Sequence, residues 1–177
     1  RLGNEGAPVQ MQVFVDVQSS EFRDQFLETI PPLVTTQVRN GQLQLLLRNR
    51  SLTRNPTELS FYGVEAAAEQ SYGWQYADLM VRNLEEAEAK GKVDEDFLRN
   101  LAGSITHMEI EEWQAAFDAG LEEGSAMTAR LAEQDKLAIK LGIRAKPAVV
   151  VTGPGGTETV QDAPDLARIE RAIDAVK

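Results

Sequence analysis

The chain has 177 residues, 42% of them hydrophobic, which suffices for a domain with a real core and argues against wholesale disorder. Its formal net charge is −10, so phosphate-rich partners are repelled, and neither nucleic acid nor an anionic membrane surface is expected as a partner. It has no cysteine, which rules out disulfides, thiolate metal sites and cysteine nucleophiles, and no apolar run approaches the roughly 20 residues that span a bilayer.

The lack of cysteine leaves the compartment open. The first residue is Arg1 rather than Met, and a signal or anchor segment is expected to have preceded it. Val9, Met11, Val13, Val15 and Val17 alternate with other residues and predict a strand. Phe14 interrupts the polar face, which points to burial on both sides, as in a sheet covered by helices. Ser19-Ser20-Glu21 then supplies a helix start, a hydroxyl for the cap and an acid in the first turn. Phe22, Phe26, Leu27, Ile30, Leu33 and Val34 follow at helical spacing, with Pro31-Pro32 expected to kink or break the helix. Asn40-Gly41 closes that segment, and Leu43, Leu45 and Leu47 alternate through a second strand ending near Arg50.

From about Glu58 to Leu141 the chain reads as helical. Ala66 to Gln70, Tyr76 to Lys90, Glu111 to Leu121 and Ser125 to Leu141 are the helix-favouring runs, with Gly91 and Gly103 as breaks. The β-branched run Ala148-Val149-Val150-Val151 follows Pro147. The turn cluster Gly153-Pro154-Gly155-Gly156 lets Thr157 to Val160 return as an antiparallel partner. Asp165 to Val176 closes as an amphipathic helix with Leu166, Ile169, Ile173 and Val176 on one face.

The order β–α–β, helical block, β–β–α predicts an α/β fold in which the first two strands are a parallel pair joined by a right-handed crossover. The closing hairpin and helix complete the sheet, and the helical block is an insertion. Residues 1–55 and 143–177 form the expected core, with 56–142 as the insertion.

Local sequence supports a resemblance on that order. Phe14-Val15-Asp16-Val17-Gln18 resembles the Phe-x-Asp-x-Gln that ends the first strand in DsbA-like proteins of the thioredoxin-like superfamily. Phe26 through Ile30-Pro31-Pro32-Leu33 resembles the family's helix ending in Leu-Pro-Pro-Leu, and Gly41 to Arg48 its second strand. Ala66 to Gln70 with Trp74-Gln75-Tyr76 resembles its Ala-rich insertion helix. Asp135 to Ile143 with Lys146-Pro147 resembles the segment leading to its cis-proline. The resemblance spans almost the whole chain and implies a thioredoxin-like fold with a helical insertion, in a bacterial-type, extracytoplasmic setting: periplasmic, cell-envelope or secreted.

The chain departs from the family at the centre. Where the family carries Cys-x-x-Cys, this sequence reads Ser19-Ser20-Glu21-Phe22. Disulfide exchange needs an attacking thiolate and a resolving thiol, and both are gone, so the fold does not carry the redox activity with it. Ser19 is expected as a helix cap and Phe22 as core. Three functional readings remain. The first is a non-catalytic DsbA-like protein that serves as a peptide- or protein-binding module or scaffold. It would use the former active-site groove, formed by Ser19, Ser20, Glu21, Phe22, Lys146 and Pro147. The resemblance implies that backbone groups before Pro147 are open to an added strand, and it places the Lys146 ammonium near Glu21. The second is a glutathione-handling enzyme that uses Ser19, as kappa-class glutathione transferases use a serine at this position; their Ser-Pro-Tyr-Ser-like motif is absent here, and Glu21 adds negative charge. The third, a serine hydrolase, needs a base, and the single histidine is His107, in the acidic helical block. Glu85-Glu86-Ala87-Glu88 and Glu109 to Glu112 are expected as solvated helix faces. Trp74, Tyr76 and Trp113 are expected in the insertion core or at its seam with the sheet. No metal-ligand spacing is visible, and no cofactor is expected.

Overall fold

Seven residues, Val9–Val15, form β1, and five of them are buried. Val9, Met11, Val13 and Val15 occupy one side, while Phe14, on the other, is also fully buried. Both faces are therefore covered, as the interruption of alternation by Phe14 predicts. The computed structural model describes residues 1–49, 59–89, 93–144, 147–162 and 164–177. After β1 come α1 (Ser20–Leu33), β2 (Leu43–Asn49), α2 (Leu59–Glu69), α3 (Gly73–Ala89) and α4 (Glu95–Gly103). Next are α5 (Ile110–Leu121), α6 (Ala126–Lys140), β3 (Ala148–Gly153), β4 (Gly156–Val160) and α7 (Leu166–Val176). The strand order is β2-β1-β3-β4. β1 runs antiparallel to β3, with Val13 opposite Val149, and β3 runs antiparallel to β4, with Val151 opposite Glu158. The sheet is mixed, so β2 lies parallel beside β1, as a right-handed crossover through α1 requires.

The described residues divide into two compact units, Arg1–Arg48 with Ala138–Lys177, and Asn49–Leu137. In the first, Leu2 exchanges both backbone hydrogen bonds with Leu45 at 2.9 and 2.8 Å and so covers part of the outer edge of β2. The Gly153–Gly156 turn lies against the end of α7, where the Gly155 N–H donates to the Val176 carbonyl at 2.8 Å. A Cβ at Gly153 would sit 2.5 Å from that same carbonyl oxygen, which explains a glycine there. α7 packs on β3 and β4 through Ile169, Ala172, Ile173 and Val176.

The two prolines, expected to kink or break the helix, do not break α1. The helix continues through Pro31 and Pro32 to Leu33 and then widens into a π-helical turn over Val34–Val38. The carbonyls of this stretch find donors one turn on. The Val34 N–H donates to the carbonyls of Ile30 and Pro31, and the Thr35 and Thr36 hydroxyls donate to those of Pro31 and Pro32 at 3.0 and 2.9 Å.

In the second unit Tyr76 stacks on Trp113 at 5.9 Å between ring centroids, and Trp113 on Phe117 at 5.1 Å. The Trp113 indole N–H donates to the Gly63 carbonyl at 3.0 Å, and the Tyr76 hydroxyl to that of Leu98 at 3.0 Å. Burial pushes the Tyr76 phenol far above its ordinary pKa. Tyr76 and Trp113 therefore belong to this unit's core, and Trp74 is buried as well. Gly103 ends α4 as expected; Gly91 and Arg50 lie outside the described residues.

Candidate functional site

The chain leaves β1 through Asp16, which is 6% exposed. Its carboxylate accepts the Gln18 N–H at 3.0 Å, and its carbonyl accepts the Ser19 N–H at 3.0 Å. This local turn delivers Ser19 in an extended conformation (φ −86°, ψ 135°) at the head of α1. Ser19 Oγ accepts the Phe22 N–H at 3.0 Å, and its carbonyl accepts the Arg23 N–H at 3.1 Å. Ser19 is thus an N-cap, an arrangement worth about 1 kcal/mol. Ser20 opens the helix. Glu21 follows, exposed, in the first turn, where the helix dipole favours a carboxylate. Phe22 points into the core, 1% exposed, and meets Phe26 edge to face at 5.4 Å and 75°.

A groove of about 340 Å³ runs along α1 beside Pro147. One wall is the face carrying Glu21, Asp24, Gln25, Glu28 and Thr29; Pro147, Pro164 and Asp165 close the other side. The Gln25 amide ties the walls together, its Nε2 donating to the Pro164 carbonyl at 3.1 Å. The Thr29 hydroxyl donates to the Gln25 carbonyl at 2.7 Å. Asp165 caps α7 by accepting the Arg168 N–H at 2.7 Å, and Asp24 accepts from Arg23 Nε at 3.1 Å.

Of the residues singled out in the sequence, Glu21 and Pro147 meet on this groove. Ser19 sits at the helix start and Phe22 beneath it, and neither lines the groove. Lys146 lies outside the described residues, as do its expected pairing with Glu21 and the peptide bond to Pro147. Asp24, Gln25, Glu28, Thr29, Pro164 and Asp165 were not anticipated. Residues 21, 24, 25 and 28 repeat at the three- and four-residue interval of one helix face, so that wall was readable once the helix start was known. Pro164 and Asp165 arrive through tertiary structure alone. His107 belongs to the second unit, is exposed and has a positive φ of 68°. Among the described residues no group of three His, Asp or Glu side chains is placed to hold a metal ion, and no helix is long and apolar enough to cross a membrane.

A thioredoxin family model matches residues 1–175. The chain belongs to the thioredoxin family. No curated protein sequence matches it. Among solved structures, it is similar to alpha-DsbA1 of Wolbachia pipientis, with 15% identity, 99% of this chain and 88% of that one covered, and a TM-score of 0.78. DsbA of Chlamydia trachomatis gives 19% identity, 98% and 88% coverage and 0.78. Oxidised BdbD of Bacillus subtilis gives 16%, 98% and 89%, and 0.75. These likenesses establish a DsbA-like thioredoxin fold with its helical insertion. The family's dithiol chemistry has no counterpart here, because the chain has no sulfhydryl group to perform it.

Proposed function

We propose that this chain is a non-catalytic DsbA-like protein that binds an extended segment of a peptide or another protein in the groove beside α1 and Pro147. The observation that carries this reading is that the groove stays open while Phe22, the bulky replacement at the former second cysteine position, turns into the core. Losing the sulfur atoms therefore did not fill the recess. Apolar surface from two prolines lies next to polar side chains, the mixture that peptide grooves use. An extracytoplasmic location fits the DsbA-like neighbours.

The glutathione reading gains nothing from the geometry. Ser19 Oγ is engaged as a cap, and the adjacent groove is walled by carboxylates that oppose an anionic tripeptide.

The test is amide chemical-shift mapping on the ¹⁵N-labelled protein, titrated with a pool of extended peptides of varied sequence. Shifts confined to residues 21–29 and 148–149 are expected. Peptides that leave those amides unmoved at millimolar concentration would remove the reading. A parallel insulin-reduction assay is expected to stay at the uncatalysed rate.

A further inference from the structure

Asn40-Gly41 is the one Asn–Gly pair in the sequence; the other five asparagines precede Glu, Arg, Pro or Leu. A glycine after asparagine leaves the backbone nitrogen open to the side-chain amide, because no Cβ stands in the way. In the structure this pair closes the π-helical turn over Val34–Val38. Gly41, with a φ of 69°, donates its N–H to the Val38 carbonyl at 3.0 Å, and the Gln42 N–H donates to the Gln37 carbonyl at 3.0 Å. These are the two bonds of a Schellman cap, with glycine at the left-handed position. The Asn40 side chain is exposed, and its Nδ2 donates to the Thr36 carbonyl at 2.7 Å. The two groups that would have to react with each other are thus both engaged elsewhere. Val38, 7% exposed, is the buried side chain that ties this turn to the core.

We infer that Asn40 is a site of spontaneous deamidation, with water as the co-reactant, and that the cap holds the reaction back until the end of the π-turn opens. The Gly41 nitrogen gives up its proton and attacks Asn40 Cγ. A bond forms between that nitrogen and Cγ, the Cγ–Nδ2 bond breaks, ammonia leaves with the proton, and a five-membered succinimide closes. Water then opens the ring at either carbonyl and leaves aspartate or isoaspartate, with nothing oxidised or reduced. Attack needs the nucleophile and Cγ aligned at close range. In the closed cap the Gly41 proton is held by the Val38 carbonyl, and the Asn40 amide is held by that of Thr36, so both bonds must break first. The product disfavours closing again. A carboxylate at residue 40 has no N–H for the Thr36 carbonyl, and it adds negative charge at the helix end where the dipole is already negative. Isoaspartate also lengthens the main chain by one methylene between residues 40 and 41, which displaces the Gly41 N–H from its acceptor. Opening permits the reaction and the reaction opposes closing, so the change is a one-way covalent step at the entry to β2.

The test incubates the intact chain in heavy-oxygen water at mildly alkaline pH, folded or unfolded in guanidinium chloride, and follows label uptake at each asparagine by peptide mapping and mass spectrometry. Asn40 is expected to react first in the unfolded chain, and at least about tenfold more slowly in the folded one. Faster reaction at another asparagine of the unfolded chain overturns the site, and equal rates in the two states overturn the protection. Val38→Ala loosens the turn without touching the reacting residues and is expected to speed the folded-state reaction by at least about threefold. Ile173→Val, in the core of α7, is expected to change it by less than about twofold. Equal acceleration by both variants overturns local opening in favour of global unfolding. Hydrogen exchange at the Gly41 amide of the unaltered protein gives a readout that needs no variant: its slowing is expected to match that of the deamidation within about threefold, and an unprotected Gly41 amide overturns the role of the cap. Asn40→Asp carries the carboxylate alone and is expected to speed exchange at the Gly41 and Gln42 amides by at least about threefold; unchanged exchange overturns the claim that the product weakens the cap.

Discussion

Truncating Phe22 to alanine tests whether the position that the resemblance aligns with the family's second cysteine is core. The ring is 1% exposed and packs edge to face against Phe26, so its removal loses the transfer energy of a phenyl group and leaves a cavity. Phe→Ala at such sites costs about 3–5 kcal/mol. For a chain of this size each kcal/mol moves the melting temperature by roughly 2–4 °C, so a fall of about 6–20 °C is expected. Urea denaturation followed by far-UV circular dichroism gives the free energy directly, with an unchanged slope confirming that the denatured state is not the cause. Both tryptophans, Trp74 and Trp113, lie in the second unit, so tryptophan fluorescence recorded alongside shows whether the two units unfold in one transition. A double-mutant cycle with Phe26→Ala should return about 0.5–1.5 kcal/mol of coupling for the edge-to-face pair. A Phe22→Ala loss below about 1 kcal/mol, or no coupling to Phe26, would refute the placement of this ring in the core.

Ser19→Ala removes the acceptor for the Phe22 N–H and should lower stability by about 1 kcal/mol, while Ser19→Asp, which keeps an acceptor and suits the helix dipole, should recover most of it; thermal melts decide. Burial holds the Glu65 carboxyl above the ordinary carboxylate range, although the Gln134 amide donates to it at 3.3 Å and Arg130 lies 3.8 Å away. The folded state therefore binds this proton more tightly than the unfolded chain does. The associated stability is complete below the unfolded pKa and is lost as pH rises through the raised folded value. Glu65→Gln keeps an acceptor for Gln134 and leaves Arg130 its 2.7 Å pair with Glu69. Its stability should match the parent in acid and exceed it near neutrality, measured by denaturation across pH; a constant difference at every pH would show that Glu65 is not the group responsible. Ser19→Cys with Phe22→Cys should form an intramolecular disulfide under mild oxidation, read by thiol labelling. Two thiols that stay free would mean that the helix start no longer has the geometry of a Cys-x-x-Cys turn.

The parts of this fold that were legible in sequence are those governed by local periodicity. The alternation of β1, the interruption by Phe14 and the serine-then-acid start of α1 each lead to the observed element, because burial and capping act over a few residues. Pro31-Pro32 is followed by one more helical residue, a π-turn over Val34–Val38 and two threonine hydroxyls that donate to the proline carbonyls, and none of these can be read from local periodicity. Of the candidate site, the sequence supplied Glu21 and Pro147. It placed Ser19 and Phe22 correctly as cap and core but also assigned them to the groove, which they do not line. Pro164 and Asp165 could not be read, because tertiary structure brings them to α1, where Gln25 bonds the Pro164 carbonyl across 139 positions of sequence.

Stability and the proposed recognition are separable at this helix start. In a Cys-x-x-Cys protein the N-terminal N–H groups of the helix stabilise a thiolate. Here the Phe22 N–H is taken by the Ser19 hydroxyl oxygen, and the Phe22 side chain is taken by the core. Both residues that the resemblance aligns with the family's cysteines thus act inward, on folding. Glu21 and Glu28, on the same helix, face the groove and take no part in that packing. Substitutions at 19 and 22 should therefore shift the melting temperature and, if the proposed groove binds peptide, leave affinity in the still-folded protein unchanged, whereas a substitution at 28 should do the reverse. A Phe22→Leu protein that remains folded but loses peptide binding would break this separation, because it would show that the groove depends on the ring beneath the helix and not on the face the helix presents.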